Sequence, residues 1–324
     1  MENRRVVLAS RPAGWVTEDN FRIESAAVPS PGEGEVLVKN LWLSLDPYMR
    51  GRVSEAKSYV KGVELGEVMV GQTVGEVLES NNAKFKQGDH VLTQLGWQLY
   101  GVSREITKVE ASRAPLSYYL GVLGMPGMTA YFGLKELGQP KAGETLVVSA
   151  ASGAVGSVVG QLAKAWGCRA VGIAGGPEKC AYVKNELGFD ACFDYKAGKL
   201  RDELKEIDVY FDNVGGEILD IALARMKLFG RIVVCGMISD YNATDPYRVR
   251  NWRAVLVNRL KVQGMIVFDW KDRYAEALTS LAGYLHAGKL KTRESVVEGL
   301  ENAPRGLISL LKGGNFGKQL VKLA

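Results

Sequence analysis

The 324-residue chain reads as an α/β protein in two parts, a β-rich one followed by a doubly wound parallel-sheet one. Three observations predict this. Strand-like runs broken by Gly and Pro fill the first 124 residues, strand and helix patterns alternate from about residue 125, and a glycine turn joins one of the later strands to the helix after it. Hydrophobic residues make up 47% and charged residues 24%, which excludes a disordered chain. Glycine supplies 38 residues, well above the ~7% average, and shows no G-X-Y period. The backbone must therefore turn sharply, or approach something closely, at many places.

In the first part, Val36–Leu43 and Val68–Glu79 carry strand-like apolar content, and Gln87-Gly88-Asp89 turns into His90-Val91-Leu92. In the second, strand Thr145–Ser149 precedes a helix over Ala154–Trp166, and Arg169–Ile173 is the next strand. Pro177 suits a first helical position, with Gly188 as the stop. Ala191–Phe193, a charged helix over Leu200–Glu206, Ile207–Phe211, Gly216–Met226, Arg231–Cys235 and Val262–Val267 continue the alternation. Repeated β-α-β units imply a parallel sheet wrapped by helices on both faces. The last thirty residues read as loop and short strand. The domains expected are 1–124, completed by 293–324, and 125–292.

Residues 1–124 hold 14 Lys+Arg and 15 Asp+Glu, whereas residues 125–324 hold 27 and 21. That bias falls far short of a nucleic-acid-binding arm and suits a small anionic ligand on the second part. The four cysteines (Cys168, Cys180, Cys192, Cys235) form no C-x-x-C pair. With no signal peptide in Met-Glu-Asn-Arg-Arg, reduced thiols and a cytoplasmic location are expected. Only His90 precedes the first cysteine as an imidazole or thiol ligand, which argues against zinc catalysis; no metal is expected. The uncharged runs 114–134 and 145–163 are broken by Pro or Gly and by hydroxyl residues, so no membrane span is expected.

Strand Leu146–Ser149 runs into Ala150-Ala151-Ser152-Gly153-Ala154-Val155-Gly156. Laid on G-x-G-x-x-G, this puts alanine at the first position and Gly153 and Gly156 at the other two. Gly153 lets backbone approach a pyrophosphate, Gly156 lets helix close on strand, and the helix N-terminus offers N–H groups to phosphate. A glycine pattern alone is weak; after a strand and before a helix, it reads as a dinucleotide site of the Rossmann type. The next strand ends Gly172-Ile173-Ala174-Gly175-Gly176 with no acid for a ribose 2′-hydroxyl. Gly175 leaves room for a 2′-phosphate and Lys179 could pair with it, so NADPH/NADP+ is favoured over NAD. Adjacent Glu178 is the feature that speaks against this.

Four longer motifs point to one family: Leu43-Ser44-Leu45-Asp46-Pro47-Tyr48-Met49-Arg50-Gly51-Arg52, Gly124-Met125-Pro126-Gly127-Met128-Thr129-Ala130-Tyr131, Asp212-Asn213-Val214-Gly215-Gly216 and Asn315-Phe316-Gly317-Lys318. Over essentially its whole length the sequence resembles the zinc-independent medium-chain reductases, which include prostaglandin, plant double-bond and bacterial curcumin reductases. Asn3–Pro12 and Ser239–Thr244 look nearest to the curcumin reductase branch. The resemblance implies a GroES-like β-rich catalytic domain plus a Rossmann cofactor domain, with the active site in the cleft between them. It further implies a homodimer through the Rossmann domains, and NADPH-dependent reduction of the C=C bond of small apolar enones and enals. By the same resemblance, Gly153, Ala154, Val155 and Gly156 take the pyrophosphate, while Lys179 and Tyr195 take the adenosine phosphate. Asn213, Cys235, Gly236, Met237, Ile238, Ser239, Met265, Ile266, Val267 and Asn315 surround the nicotinamide half. Relatives carry several more residues between Leu200 and Ile207, a departure away from these motifs.

Hydride addition to the β-carbon of an enone drives charge onto the carbonyl oxygen, and a donor aimed there stabilises the transition state. Tyr241, set near the nicotinamide by resemblance, is the first candidate, because a phenol is neutral and able to donate at neutral pH. Its competing role is mere packing against cofactor or substrate. Tyr48, aimed by the Asp46-Pro47 turn, is the second candidate, more as a substrate contact than as a catalyst. His90 and His286 read as structural, and Met125, Met128, Tyr131 and Phe132 as core. Arg248, Arg250, Arg253, Arg259 and Lys261 read as a solvated helix surface. The alternatives are a quinone reductase on the same scaffold and a non-catalytic NADPH- or RNA-binding protein. For the latter the basic stretch is the sole support, and there is no aromatic RNA motif.

Overall fold

The computed structural model describes residues 2–55 and 60–324. Two compact units emerge: Met1–Gly121 with Glu294–Asn315 and Gln319–Ala324, and Val122–Arg293 with Phe316–Lys318.

The first unit opens with the antiparallel hairpin β1 (Glu2–Leu8) and β2 (Phe21–Ala27), with Leu8 opposite Phe21. Its main sheet begins with β3 (Val36–Ser44), which buries Val36, Leu37 and Val38 in succession. After the short helix α1 (Met49–Arg52) come β4 (Thr73–Ser80), β5 (His90–Thr93), β6 (Tyr100–Ser103) and β7 (Thr107–Lys108). The strand expected from Val68 starts only at Thr73. Residues 68–69 instead bond β1 and the 97 turn, with Met69 N–H donating to Val6 O at 2.9 Å and Trp97 N–H to Met69 O at 2.8 Å.

The second unit holds a six-stranded, all-parallel sheet in the order β10-β9-β8-β11-β12-β13. Its strands are β8 (Thr145–Ser149), β9 (Arg169–Ala174), β10 (Ala191–Asp194), β11 (Ile207–Asp212), β12 (Met226–Val234) and β13 (Lys261–Gly264). The helices are α2 (Met125–Phe132), α3 (Gly156–Ala165), α4 (Pro177–Asn185), α5 (Leu200–Glu203), α6 (Gly216–Leu223), α7 (Arg253–Val257) and α8 (Tyr274–His286). Pro177 stands in the first turn of α4 as expected. Strand residues alternate between two buried faces: Val147, Ile173, Tyr210 and Ile232 pack with Ile218, Ile221 and Leu200, while Phe211 lies against Gly133 and Val209 against Gly138 on the other side.

Three expectations needed correction here. The charged helix ends at Glu203, because Leu204 is already extended (φ −72°, ψ 122°) on the way into β11. Strand β12 starts five residues early, at Met226, passing through the left-handed Phe229 (φ 60°). Only Lys261–Gly264 of the run to Val267 stays in the sheet.

The chain then returns to the first unit through β14 (Glu294–Glu298), α9 (Ala303–Leu311) and β15 (Lys318–Lys322). Helix α9 contradicts the loop-and-strand reading of this region. Its Pro lies in the first turn and its face Ala303, Leu307, Leu310 and Leu311 joins Val6, Leu43 and Leu45 in the core. Strand β15 pairs antiparallel with β3, Leu320 opposite Ser44. Among the described residues no helix is long and apolar enough to cross a membrane.

Candidate active site

The carboxyl edge of the parallel sheet gathers most of the candidate residues, on both sides of the junction of β8 with β11. At that junction the strand order reverses, which is where open α/β sheets bind ligands. From Ser149 the chain enters a tight turn, with Ala150 left-handed (φ 51°) and Gly153 N–H donating to Ala150 O at 2.9 Å. A Cβ on Gly156 would fall 2.3 Å from Ala150 O, so no side chain fits where α3 begins. The turn leads straight into the N-terminus of α3 at Gly156, the end of a helix that suits a pyrophosphate, with Ser157 N–H already used on Gly153 O at 3.0 Å. The far end of the chain closes it from beside: Gly317 N–H donates to Ser152 O at 3.0 Å, and Lys318 N–H to Arg293 O at 2.9 Å. Gln161 of α3 bonds the backbone of Lys291 in both directions, at 2.9 and 2.8 Å.

One side of the junction is a buried polar hub. Asp212, fully buried at the end of β11, takes four donors on Oδ1: Ser149 Oγ (3.1 Å), Tyr210 OH (2.9 Å), Val214 N–H (3.0 Å) and Gly215 N–H (3.0 Å). Its Oδ2 is buried with no hydrogen-bond partner among the described residues. Burial pushes the carboxyl above its ordinary value even though these four donors pull the other way. Asn213 is locked alongside, its N–H on Ser149 Oγ and its Nδ2 on Ser149 O, both at 2.8 Å. The loop after β12 hangs from this hub. Cys235 and Gly236 donate to Asp212 O, Ile238 to Asn213 O at 3.5 Å, and Ser239 to Val214 O, twice. The Cys235 thiol is pushed up to about 12 by burial and by the Asp212 carboxylate, so it stays protonated; its backbone is what the hub uses.

The other side is open and charged. Gly175 ends β9 beside Tyr195, and a Cβ there would lie 2.8 Å from the Tyr195 ring. Lys179 stands on the first turn of α4; burial lowers its pKa, and the charge of Lys196 lowers it further. Behind it Phe316 meets Tyr182 edge-on at 5.0 Å and carries the Arg293 guanidinium 3.8 Å above its ring.

A comparison with known proteins gives this edge its context. Residues 4–111 match a family described as N-terminal domain of oxidoreductase, and residues 154–283 one described as zinc-binding dehydrogenase. NADPH-dependent curcumin reductase of Escherichia coli (strain K12) is 48% identical, over 99% of this chain and 97% of that protein. The chain belongs to the zinc-independent medium-chain reductases. The 2-alkenal reductase (NADP(+)-dependent) of Nicotiana tabacum, another relative, is 43% identical over 100% of this chain and 98% of its own length. The crystal structure of CurA from Vibrio vulnificus in complex with NADPH shares 48% identity and superposes with a TM-score of 0.95, covering 99% of each chain. The description of the second domain notwithstanding, the described residues of this reductase contain no group of three or more His, Cys, Asp or Glu able to hold a metal ion.

The candidate tyrosines sit in different units. Tyr241 is half-buried, and its oxygen accepts the Met237 N–H at 3.5 Å. Tyr48 precedes α1 in the first unit, half-buried against that unit's core, on a turn closed by Met49 N–H to Asp46 O at 3.1 Å. Ser44 Oγ donates to the buried Asp46 carboxylate and stiffens this turn. Met265 and Val267 are buried beyond the end of β13, with Ile266 half-buried between them. Asn315 is half-buried just before Phe316.

Reading the sequence missed Ser149 and Asp212 as the hub, and Ser152, Arg293 and Gly317 as the brace on the phosphate turn. A buried acid flanked by Tyr and Asn at a strand end was the available signal for the hub. The brace had none, because Gly317 and Ser152 lie more than a hundred residues apart.

Proposed function

We propose that this reductase uses NADPH to reduce the carbon–carbon double bond of α,β-unsaturated ketones and aldehydes. The observation that carries this is the full-length match, at 48% identity, to an NADPH-dependent curcumin reductase, on a scaffold that superposes at a TM-score of 0.95 on a structure holding NADPH. The sheet edge fits that cofactor, with a turn at Gly156 that a side chain would fill and an acid-free tip at Gly175 beside Lys179.

When bound, the reduced nicotinamide supplies a hydride. Gly153, Ala154, Val155 and Gly156 present backbone N–H groups to the pyrophosphate. Gly175, Lys179 and Tyr195 receive the adenosine phosphate. Asn213, Cys235, Gly236, Met237, Ile238, Ser239, Met265, Ile266, Val267 and Asn315 shape the nicotinamide half, and the Asp212 hub keeps the first six of these in register. Tyr241 donates its phenol proton in a hydrogen bond to the carbonyl oxygen of the substrate as that oxygen becomes an enolate. Tyr48 contacts the substrate. The neutral Cys235 thiol takes no part as a nucleophile.

The catalytic domain is assigned to 1–124 with 293–324, and the cofactor domain to 125–292. A homodimer through the cofactor domain is supported by the sheet ending at β13, where Phe229 and Leu256 are exposed. Sedimentation at micromolar concentration is expected to return a dimer. We expect no nucleic-acid partner: the basic stretch is divided among helix α7, strand β13 and a loop that Arg250 N–H, Asn251 N–H and Tyr247 OH tie to the buried Asp220 carboxylate. The location assigned is the cytoplasm.

The test is cofactor oxidation with a simple enone and NADPH, beside equal reactions with NADH and with a quinone. Turnover of the enone with NADPH, yielding saturated ketone, is the expected result. Preference for NADH would overturn the reading of Gly175 and Lys179, and turnover of the quinone alone would make the enzyme a quinone reductase.

A further inference from the structure

The residues that discriminate the phosphorylated from the unphosphorylated cofactor extend beyond those that the motifs supply. Three observations converge on the turn after β10. First, two neighbours close on Gly175: a Cβ there would lie 2.8 Å from the Tyr195 ring, 3.1 Å from Tyr195 OH and 3.0 Å from Lys196 Cε. The carbon bearing the Lys196 ammonium therefore sits over the acid-free tip of β9, level with the phenol. Second, one carboxylate fixes this arrangement. Asp194 Oδ1 accepts Gly176 N–H at 2.8 Å and Lys196 N–H at 2.9 Å, so the tips of β9 and β10 are tied through a single oxygen. The Asp194 side chain thereby caps the short turn Tyr195–Ala197 and is engaged with backbone on the flank of the site. Third, Lys196 is exposed and forms no ion pair among the described residues, yet its charge is felt by Lys179.

Two ammonium groups brought within electrostatic reach, with a phenol beside the same glycine and no carboxylate ion-paired to Lys196 among the described residues, are complementary to a dianion. A solvated surface lysine gains nothing from standing near another cation. Glu178, next to Lys179 in sequence, acts on Lys179 in the opposite sense and is outweighed by Lys196.

We infer that Lys196 is a second cation for the 2′-phosphate of the cofactor, acting with Lys179 beside Gly175 and held in place by Asp194. The inference rests on the NADPH reading above and deepens it, by making selectivity a two-lysine property.

The test measures binding, with adenosine 2′,5′-bisphosphate and adenosine 5′-monophosphate as probes, by calorimetry at two ionic strengths on wild type, Lys196→Gln and Lys196→Arg. Lys196→Gln is expected to weaken the bisphosphate roughly tenfold, the low end for a hydrogen bond to a charged group, and to leave the monophosphate unchanged. It should also flatten the salt dependence of bisphosphate binding, while Lys196→Arg retains most of the affinity and of the salt dependence. Unchanged bisphosphate affinity in Lys196→Gln overturns the inference. Equal weakening of both probes also overturns it, since that marks a distorted turn. If wild type itself fails to prefer the bisphosphate, the NADPH reading falls, and this inference with it; if wild type prefers it and Lys196→Gln prefers it by the same factor, only the inference falls.

Discussion

The two sides of the β8/β11 junction are built on opposite principles. At the tips of β8 and β11, a buried acid, a tyrosine, a serine and an asparagine are cross-linked by hydrogen bonds of 2.8 to 3.1 Å, and the loop from β12 to Ser239 is suspended from them. At the tips of β9 and β10, the working groups are exposed or half-buried cations and a phenol around a missing side chain. The buried side gives position, which a hydride transfer needs to within tenths of an ångström. The exposed side gives selection by charge, which tolerates movement and is screened by salt. Damage to the first should therefore cost stability and turnover together, whereas damage to the second should change cofactor choice alone.

The sharpest way to break that distinction is at the hub. Asp212→Ala strands four donors in the interior and is expected to destabilise the protein by about 3–5 kcal/mol, read from urea unfolding. Asp212→Asn keeps an acceptor and should recover most of that loss. If the alanine variant unfolds like wild type, the hub is not what holds the nicotinamide loop.

Tyr241→Phe should lower kcat by roughly 10²- to 10³-fold, the range for removing one donor to a developing oxyanion, with little change in stability. Near-normal kcat would reduce Tyr241 to a packing residue. On the charged side, Gly175→Asp sets a carboxylate against the 2′-phosphate, and like-charge repulsion of this kind should raise KM for NADPH by about 10²-fold. KM for NADH should hold or fall, since the same acid suits a ribose hydroxyl. A parallel rise for both cofactors would show that the added side chain had simply displaced the Tyr195 ring.

The smallest effect lies away from both tips. Lys135 and Arg273, in that order, hold Glu276 down from 4.5 to about 2, with Tyr131 OH donating to the same carboxylate at 2.9 Å. A carboxyl depressed in the folded state stabilises fully above its unfolded value, and the contribution disappears as pH falls from 4.5 to about 2. Glu276→Gln should therefore lower the thermal midpoint slightly at neutral pH, and the difference from wild type should close across that acid window. A gap that stays constant down to the lowest pH would assign the effect to packing.

Much of this was legible in the sequence where the signal is local. The strand–turn–helix over 145–165 and the acid-free end of β9 follow from residues that are neighbours in the chain. Pro177 and Gly188 bracket α4 for the same reason. What stayed hidden depends on distant partners. Helix α9 is apolar on one face only because β1 and β3 supply the surface it covers. The pairing of Gly317 with Ser152 joins segments that no periodicity relates. The proposal for the nicotinamide half rests on resemblance, since Cys235–Ser239 carry no pattern of their own; the structure adds how that loop is held, by hydrogen bonds to Asp212, Asn213 and Val214.

The most direct test of the central claim follows the transferred hydride itself. With NADPH carrying deuterium at the transferable position and a simple enone as acceptor, the product would be analysed by NMR. The account predicts a saturated ketone with deuterium on the former β-carbon. Deuterium on the carbonyl carbon of an allylic alcohol, or no consumption of NADPH, would contradict it.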